Sequence, residues 1–373
     1  MTAPPTVLVA IGTRPEAIKL GPVILEARKH ASVSLDVVST GQHRRLVHES
    51  LSFFGVTPDH ELVYERPTGS LWELSSALMQ SVGDLLDRLR PAAVLVQGDT
   101  LTAFAGALCG FYAHIPVVHL EAGLRTTSVE MPFPEEAHRR LISRIAQLHL
   151  TPTTRAAANL HAEGVSQDQI VITGNTSVDA VLYAAGPPAD APSRNLVVVT
   201  LHRRESWGEP TREIGRALGT LSTLHPEVQI VVLLHPNPEH AEETRRAVAG
   251  YDRVSCRNSL PYGELCRLVA RARLVLTDSG GLQEELPSLG VQAVVLRNQT
   301  DRPEAEASGW ARVAGTDHDT IVSVTSTALA APTEHLGGNP FGDGHAAERV
   351  VTAIGWMLGQ NPRPADYEAE VTT

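Results

Sequence analysis

Short β-branched apolar runs alternate with helix-like segments along most of this chain, and that rhythm leaves few folds open. Thr6 to Ile11 is such a run, and Pro15 then opens a helix-like stretch to about Lys29. Leu35 to Ser39, Ala92 to Val96, Val117 to Leu120 and Leu148 to Thr151 read as further strands. Leu71 to Leu89 sets Leu74, Leu78, Val82, Leu85, Leu86 and Leu89 at helical spacing, Leu101 to Ala113 reads as a helix, and another opens at Pro134. The rhythm restarts after the Pro-rich run Gly186 to Pro192, with strands at Leu196 to Thr200, Gln229 to Leu233, Val254 to Cys256, Leu274 to Thr277 and Ala293 to Leu296. Strands alternating with helices imply parallel sheets covered on both faces. The expected architecture is α/β: two Rossmann-like domains facing across a cleft. Residues 1–185 form the first and 190–344 the second, and a helical segment from His345 to Leu358 sends 345–373 back onto the first.

In such sheets ligands bind beyond the carboxyl ends of the strands. Charged and glycine-bearing segments stand at those places: Gly12 to Glu16, Gly98 to Thr100, His119 to Arg125 and Asp278 to Glu285. Thr13 suits an N-cap and Pro15 the first turn, which sets Arg14 at a helix amino terminus with Lys19 about one turn on. That combination favours an anion. Ser279, Gly280 and Gly281 open a helix where small residues let a phosphate reach backbone N–H groups, and Glu285 is within reach of sugar hydroxyls. Asp99 and Glu121 follow neighbouring strands, as an acid–base pair would, although each taken singly also reads as a loop acid or a cap. His202, Arg203 and Arg204 follow a strand and suit a diphosphate; His235 follows another. Glu135 and Arg139 stand i, i+4 at a helix start, which by itself reads as helix electrostatics.

Composition narrows the partners. A net charge of −11 argues against non-specific nucleic-acid binding. Cys109, Cys256 and Cys266 show no metal-ligand spacing, and the 16 histidines do not cluster, so no metal is expected. No Gly-x-Gly-x-x-Gly follows the first strand, so no dinucleotide cofactor is expected either. The amino terminus lacks a basic segment followed by an apolar run, and no apolar stretch is long enough for a bilayer. A cytoplasmic protein with reduced thiols is expected.

These segments together resemble the non-hydrolysing UDP-N-acetylglucosamine 2-epimerases. The matching stretches run in the family's order: Gly12 to Lys19, Thr40 to Arg44, Gly98 to Thr100, Glu121 to Thr126, Pro132 to Arg140, Thr173 to Thr176 with Asp179, His202 to Ser206, His235 to Pro238, Asp278 to Glu285 and Asp301 to Ala305. Pro15-Glu16 favours the non-hydrolysing branch over hydrolysing relatives. The resemblance implies a glycosyltransferase-B-like fold with UDP bound by the second domain. It implies reversible conversion of UDP-N-acetylglucosamine to UDP-N-acetylmannosamine by loss of UDP, a 2-acetamidoglucal intermediate and re-addition. It makes Asp99, Glu121 and Glu135 the acid–base carboxylates, overriding the electrostatic reading of Glu135, and His202 a stabiliser of the departing diphosphate. Arg14, Lys19, Arg139, Arg203, His235, Ser279, Gly280, Gly281 and Glu285 become substrate contacts. Gln42, His43 and Arg66 mark a possible allosteric site for a second UDP-N-acetylglucosamine. A homodimer without cofactor is implied. The chain departs from the pattern at Arg45, at Pro67 and at Leu201, whose bulk beside His202 is expected to disturb that histidine. A C2 epimerase of a modified UDP-sugar, such as a diacetamido uronate, and a glycosyltransferase on the same fold are the alternatives.

Overall fold

Buried Val, Ile, Leu and Ala runs build two all-parallel sheets, the pattern required when helices cover both faces. The computed structural model describes residues 3–65, 68–126, 128–187, 195–331 and 336–369. The Pro188 to Pro192 part of the expected linker, Arg66 and Pro67 lie outside the described residues. The chain divides into two compact units, 1–180 with 341–368 and 181–340 with 369–373.

In unit 1 the strands are β1 (Thr6–Ile11), β2 (Ser34–Ser39), β3 (His60–Glu61), β4 (Ala93–Gln97), β5 (Val117–Leu120), β6 (Leu148–Thr151) and β7 (Ile170–Ile172). They lie in the order β3-β2-β1-β4-β5-β6-β7. The helices that follow them are α1 (Arg14–Ala27), α2 (Arg44–Phe53), α3 (Leu71–Leu89), α4 (Leu101–Tyr112), α5 (Glu135–Ile145), α6 (Thr154–Ala162) and α7 (Thr176–Ala185), whose residues from 181 on are counted with unit 2. On α3 the face carrying Leu74, Leu78, Val82, Leu85 and Leu86 is buried, and Ser70 caps its start by accepting from Glu73 N at 3.2 Å. At Gly106 an added Cβ would lie 2.9 Å from Val96 Cγ1, so only glycine lets α4 sit this close to the sheet.

Unit 2 repeats the plan with β8 (Leu196–Thr200), β9 (Gln229–Leu233), β10 (Val254–Arg257), β11 (Leu274–Thr277), β12 (Gln292–Val295) and β13 (Ala311–Val313). Their order is β10-β9-β8-β11-β12-β13. Its helices are α8 (Glu209–Leu224), α9 (Pro238–Ala247), α10 (Tyr262–Val269), α11 (Gly280–Glu285), α12 (Pro303–Ala307) and α13 (His318–Ala330). The last helix, α14 (Ala346–Met357), belongs to unit 1 and packs on α1. Buried Asp179 anchors it, accepting from Ala346 N at 3.3 Å and Ala347 N at 2.8 Å. Beyond α14, Tyr367 N donates to Ile172 O at 2.7 Å and Asp366 Oδ1 accepts from Ile172 N at 2.8 Å, which covers the β7 edge.

Both sheets reverse their strand order once, between β1 and β4 and between β8 and β11. A crevice opens at such a point because the helices on either side leave toward opposite faces. No helix among the described residues is long and apolar enough to cross a membrane.

Candidate active site

The switch point of unit 1 carries Arg14 on one side and Asp99 on the other. Arg14 is the first residue of α1, half-buried, and makes no ion pair among the described residues. Gly12 is required by close approach: a Cβ there would lie 2.0 Å from Thr102 Oγ1. Glu16 is fully buried behind the same turn.

Parallel register pairs Gln97 of β4 with Leu120 of β5, so Asp99 and Glu121 leave adjacent strands one residue apart in height. Each carboxylate has its own cation. Arg139 Nη2 stands 2.5 Å from Asp99 Oδ2, and Lys19 Nζ donates to Glu121 Oε1 at 2.5 Å. Gln97 Nε2 donates to the other oxygen of Glu121. Glu121 adopts φ 62°, a left-handed conformation that a non-glycine residue holds only when its surroundings fix it. Buried His119 helps fix them: its Nε2–H donates to Gly98 O at 2.8 Å. Burial, with Arg125 and Arg139 nearby, pushes its pKa down to about 4, so the ring is neutral. His138 Nδ1–H donates to Asp99 O at 2.9 Å while its ring stacks on Phe104.

Lys19 is engaged with Glu121 within the chain. Arg139 pairs with Asp99 and with Glu136 at 3.1 Å rather than with Glu135. Fully buried Glu136 also takes Arg140 Nε at 2.8 Å, so this helix start has a structural acid beside the candidate catalytic one. Glu135 Oε2 is buried with no hydrogen-bond partner among the described residues.

The switch point of unit 2 is organised by Asp278, which is buried. Its carboxylate accepts from His202 N at 2.9 and 3.0 Å, Arg203 N at 2.9 Å and Ser206 Oγ at 2.7 Å. The register Thr200 to Thr277, with their hydroxyls 2.7 Å apart, sets His202 and Ser279 at equal height beyond β8 and β11. Ser279 caps α11, accepting from Leu282 N at 3.5 Å. An added Cβ would lie 3.4 Å from Asp301 Oδ1 at Gly280 and 3.9 Å from Ser279 Oγ at Gly281. Neither glycine has a positive φ, so the fold itself does not demand glycine at either position.

Around this turn Arg203 lies 3.4 Å from Asp301 Oδ2. Burial opposes ionisation of Asp301, but Arg302, Arg203 and Arg297 outweigh it and hold its pKa at about 2. Arg302 also meets Glu284 at 2.5 Å, which ties α12 to α11. His235 lies 6.1 Å from His202 and 5.8 Å from Trp207, ring centre to ring centre. Burial and then neighbouring His240 lower its pKa. Glu285 accepts from Tyr262 Oη at 3.4 Å. Leu201 is 3% exposed, its side chain part of the unit 2 core. Gln42 Oε1 accepts from Thr102 Oγ1 at 3.0 Å and His43 N donates to Gly12 O at 2.8 Å, so both belong to the wall behind Arg14. No group of three or more His, Cys, Asp or Glu able to hold a metal ion exists among the described residues.

Asp278 and Glu16, both buried, carry no signal of their role in the sequence. Burial behind a turn is a tertiary fact that neither spacing nor composition carries.

A model of the family described as UDP-N-acetylglucosamine 2-epimerase matches residues 25–355. The UDP-N-acetylglucosamine 2-epimerase of Escherichia coli (strain K12) is 38% identical over 367 residues, 93% of this chain and 98% of that one. The structure of S. aureus MnaA with UDP aligns with TM-score 0.89 at 32% identity, over 98% of this chain and 100% of that one. The UDP-GlcNAc 2-epimerase from Neisseria meningitidis bound to UDP-GlcNAc aligns with TM-score 0.85 at 36% identity, over 94% of this chain and 99% of that one.

Proposed function

The chain belongs to the UDP-N-acetylglucosamine 2-epimerase family, and on that premise we propose that it inverts C2 of UDP-N-acetylglucosamine by elimination and re-addition. What carries the reading is the pair of strand-tip carboxylates, Asp99 and Glu121, each oriented by a cation at 2.5 Å. In the forward direction a carboxylate takes the C2 proton. The C2–H electrons form the C1–C2 double bond, and the C1–O bond breaks toward the diphosphate. The products of that half are 2-acetamidoglucal and UDP. Protonation of C2 on the opposite face and return of the UDP oxygen to C1 complete the inversion. Because the C2 hydrogen is weakly acidic, leaving-group stabilisation carries much of the barrier. His202, Arg203 and the Ser279–Gly281 turn are the groups assigned to the diphosphate, with Arg14 as a further cation.

Glu135 completes the acid–base set, its unpartnered Oε2 suited to a bond made only with substrate. Glu285 is assigned to ribose hydroxyls. Incubation with UDP-N-acetylglucosamine in heavy water is expected to yield the manno epimer with deuterium at C2. Absence of both, with and without excess UDP-N-acetylglucosamine, overturns the proposal.

A further inference from the structure

We propose that Glu16 is a positioning residue that fastens the Arg14 turn to the Asp99 turn, an inference that rests on the epimerase reading. Glu16 Oε2 accepts from Gly12 N at 3.0 Å, Thr13 N at 2.7 Å and Thr13 Oγ1 at 2.8 Å. Its Oε1 accepts from Thr100 Oγ1 at 2.6 Å. Thr13 precedes Arg14 and Thr100 follows Asp99, so one carboxylate bridges the two strand tips that flank the switch point. A helix cap alone requires no buried charge, and reciprocal caps of this kind ordinarily sit at the surface. Here the carboxylate has no exposure and no cation pairs with it among the described residues.

Beside Gly12 in the same turn, Thr40 and Thr102 share a hydrogen bond at 2.9 Å and Thr102 reaches Gln42. The nearest charges along these turns are Arg14, Lys19 and Asp99. All the bonds it receives come from donors, which suits an ionised carboxylate. Burial opposes that and pushes its pKa up to about 7, the hydrogen bonds from Thr100, Thr13 and Gly12 holding it from rising further. On protonation one carboxyl oxygen carries a hydrogen, and the threonine hydroxyl facing it must turn. The fastening between the turns then loosens near neutral pH.

Glu16→Gln puts N–H against donors at every pH and so imitates the loosened form. It is expected to lower kcat about tenfold or more at pH 8, to weaken UDP binding about fivefold, and to abolish the part of the wild-type pH profile centred near 7. Thr100→Ala cuts the Asp99 side, together with the α4 cap in which Thr100 Oγ1 accepts from Ala103 N at 3.0 Å: kcat is expected to fall with KM within about threefold, and Thr100→Ser, which keeps the hydroxyl, to restore it. A merely structural glutamate would not move the pH profile or separate kcat from KM. A Glu16→Gln enzyme with wild-type kcat, KM and profile overturns the inference, and so does equal behaviour of the two Thr100 variants, which decides the matter if Glu16→Gln does not fold. If the wild type itself fails to epimerise UDP-N-acetylglucosamine, the epimerase reading falls; UDP titration of Glu16→Gln then tests the Arg14 side, and unchanged affinity sinks the inference.

Discussion

Removing one carboxylate from the tip of β4 or β5 leaves its cation in place, and that predicts a loss of turnover larger than any loss of UDP binding. In Asp99→Asn, Arg139 keeps Glu136 as partner; in Glu121→Gln, Lys19 faces an amide. Either variant is expected to reduce kcat by a hundredfold or more while UDP affinity, measured by titration calorimetry, stays within about tenfold, or ~1.4 kcal/mol. Loss of UDP binding instead would make these binding residues. At this scale the types of residue at the strand tips were legible and their partners were not. Spacing along α5 offers Glu135 to Arg139, yet Asp99 arrives from another element and takes the guanidinium. The left-handed φ of Glu121 and the burial of Glu16 likewise depend on neighbours far along the chain.

Among elements, the central strands read easily because both faces are buried, which makes them continuous apolar runs. Two-residue β3, His60–Glu61, carries no such signal; it is a strand only because β2 offers it a parallel partner. Helices α2 and α9 are largely polar, so their existence also rests on packing. Asp179 makes a test at this scale. Burial raises its pKa from 3.8 to about 6, against the two N–H groups of α14 that favour the anion. A raised folded-state pKa means that the neutral form is favoured in the native state. That contribution is complete below about pH 3.8 and is lost as pH rises through about 6. Asp179→Asn does not titrate, so wild-type stability relative to the variant is expected to fall by about 2 kcal/mol between pH 4 and 7. Urea melts of both proteins across that range check it; parallel curves would refute it.

For the whole molecule, the order of units along the chain was expected from the restarted strand rhythm, and the unit bounds of 180 and 341 come from packing. Unit 2 is inserted between two parts of unit 1, and α14 covers α1. Deleting residues 341–373 is expected to expose that apolar face and the β7 edge together. Dye binding and light scattering should reveal a sticky, aggregation-prone product, whereas 181–340 is expected to melt cooperatively by itself. A truncated chain that stays monodisperse with an unchanged melting temperature would contradict this. The same insertion bears on biosynthesis. A ribosome releases the inserted unit's whole sequence before it has made the helix that closes the flanking one. During translation the later-encoded unit can therefore mature first, and the nascent amino-terminal half must wait, partly open, for α14 to emerge.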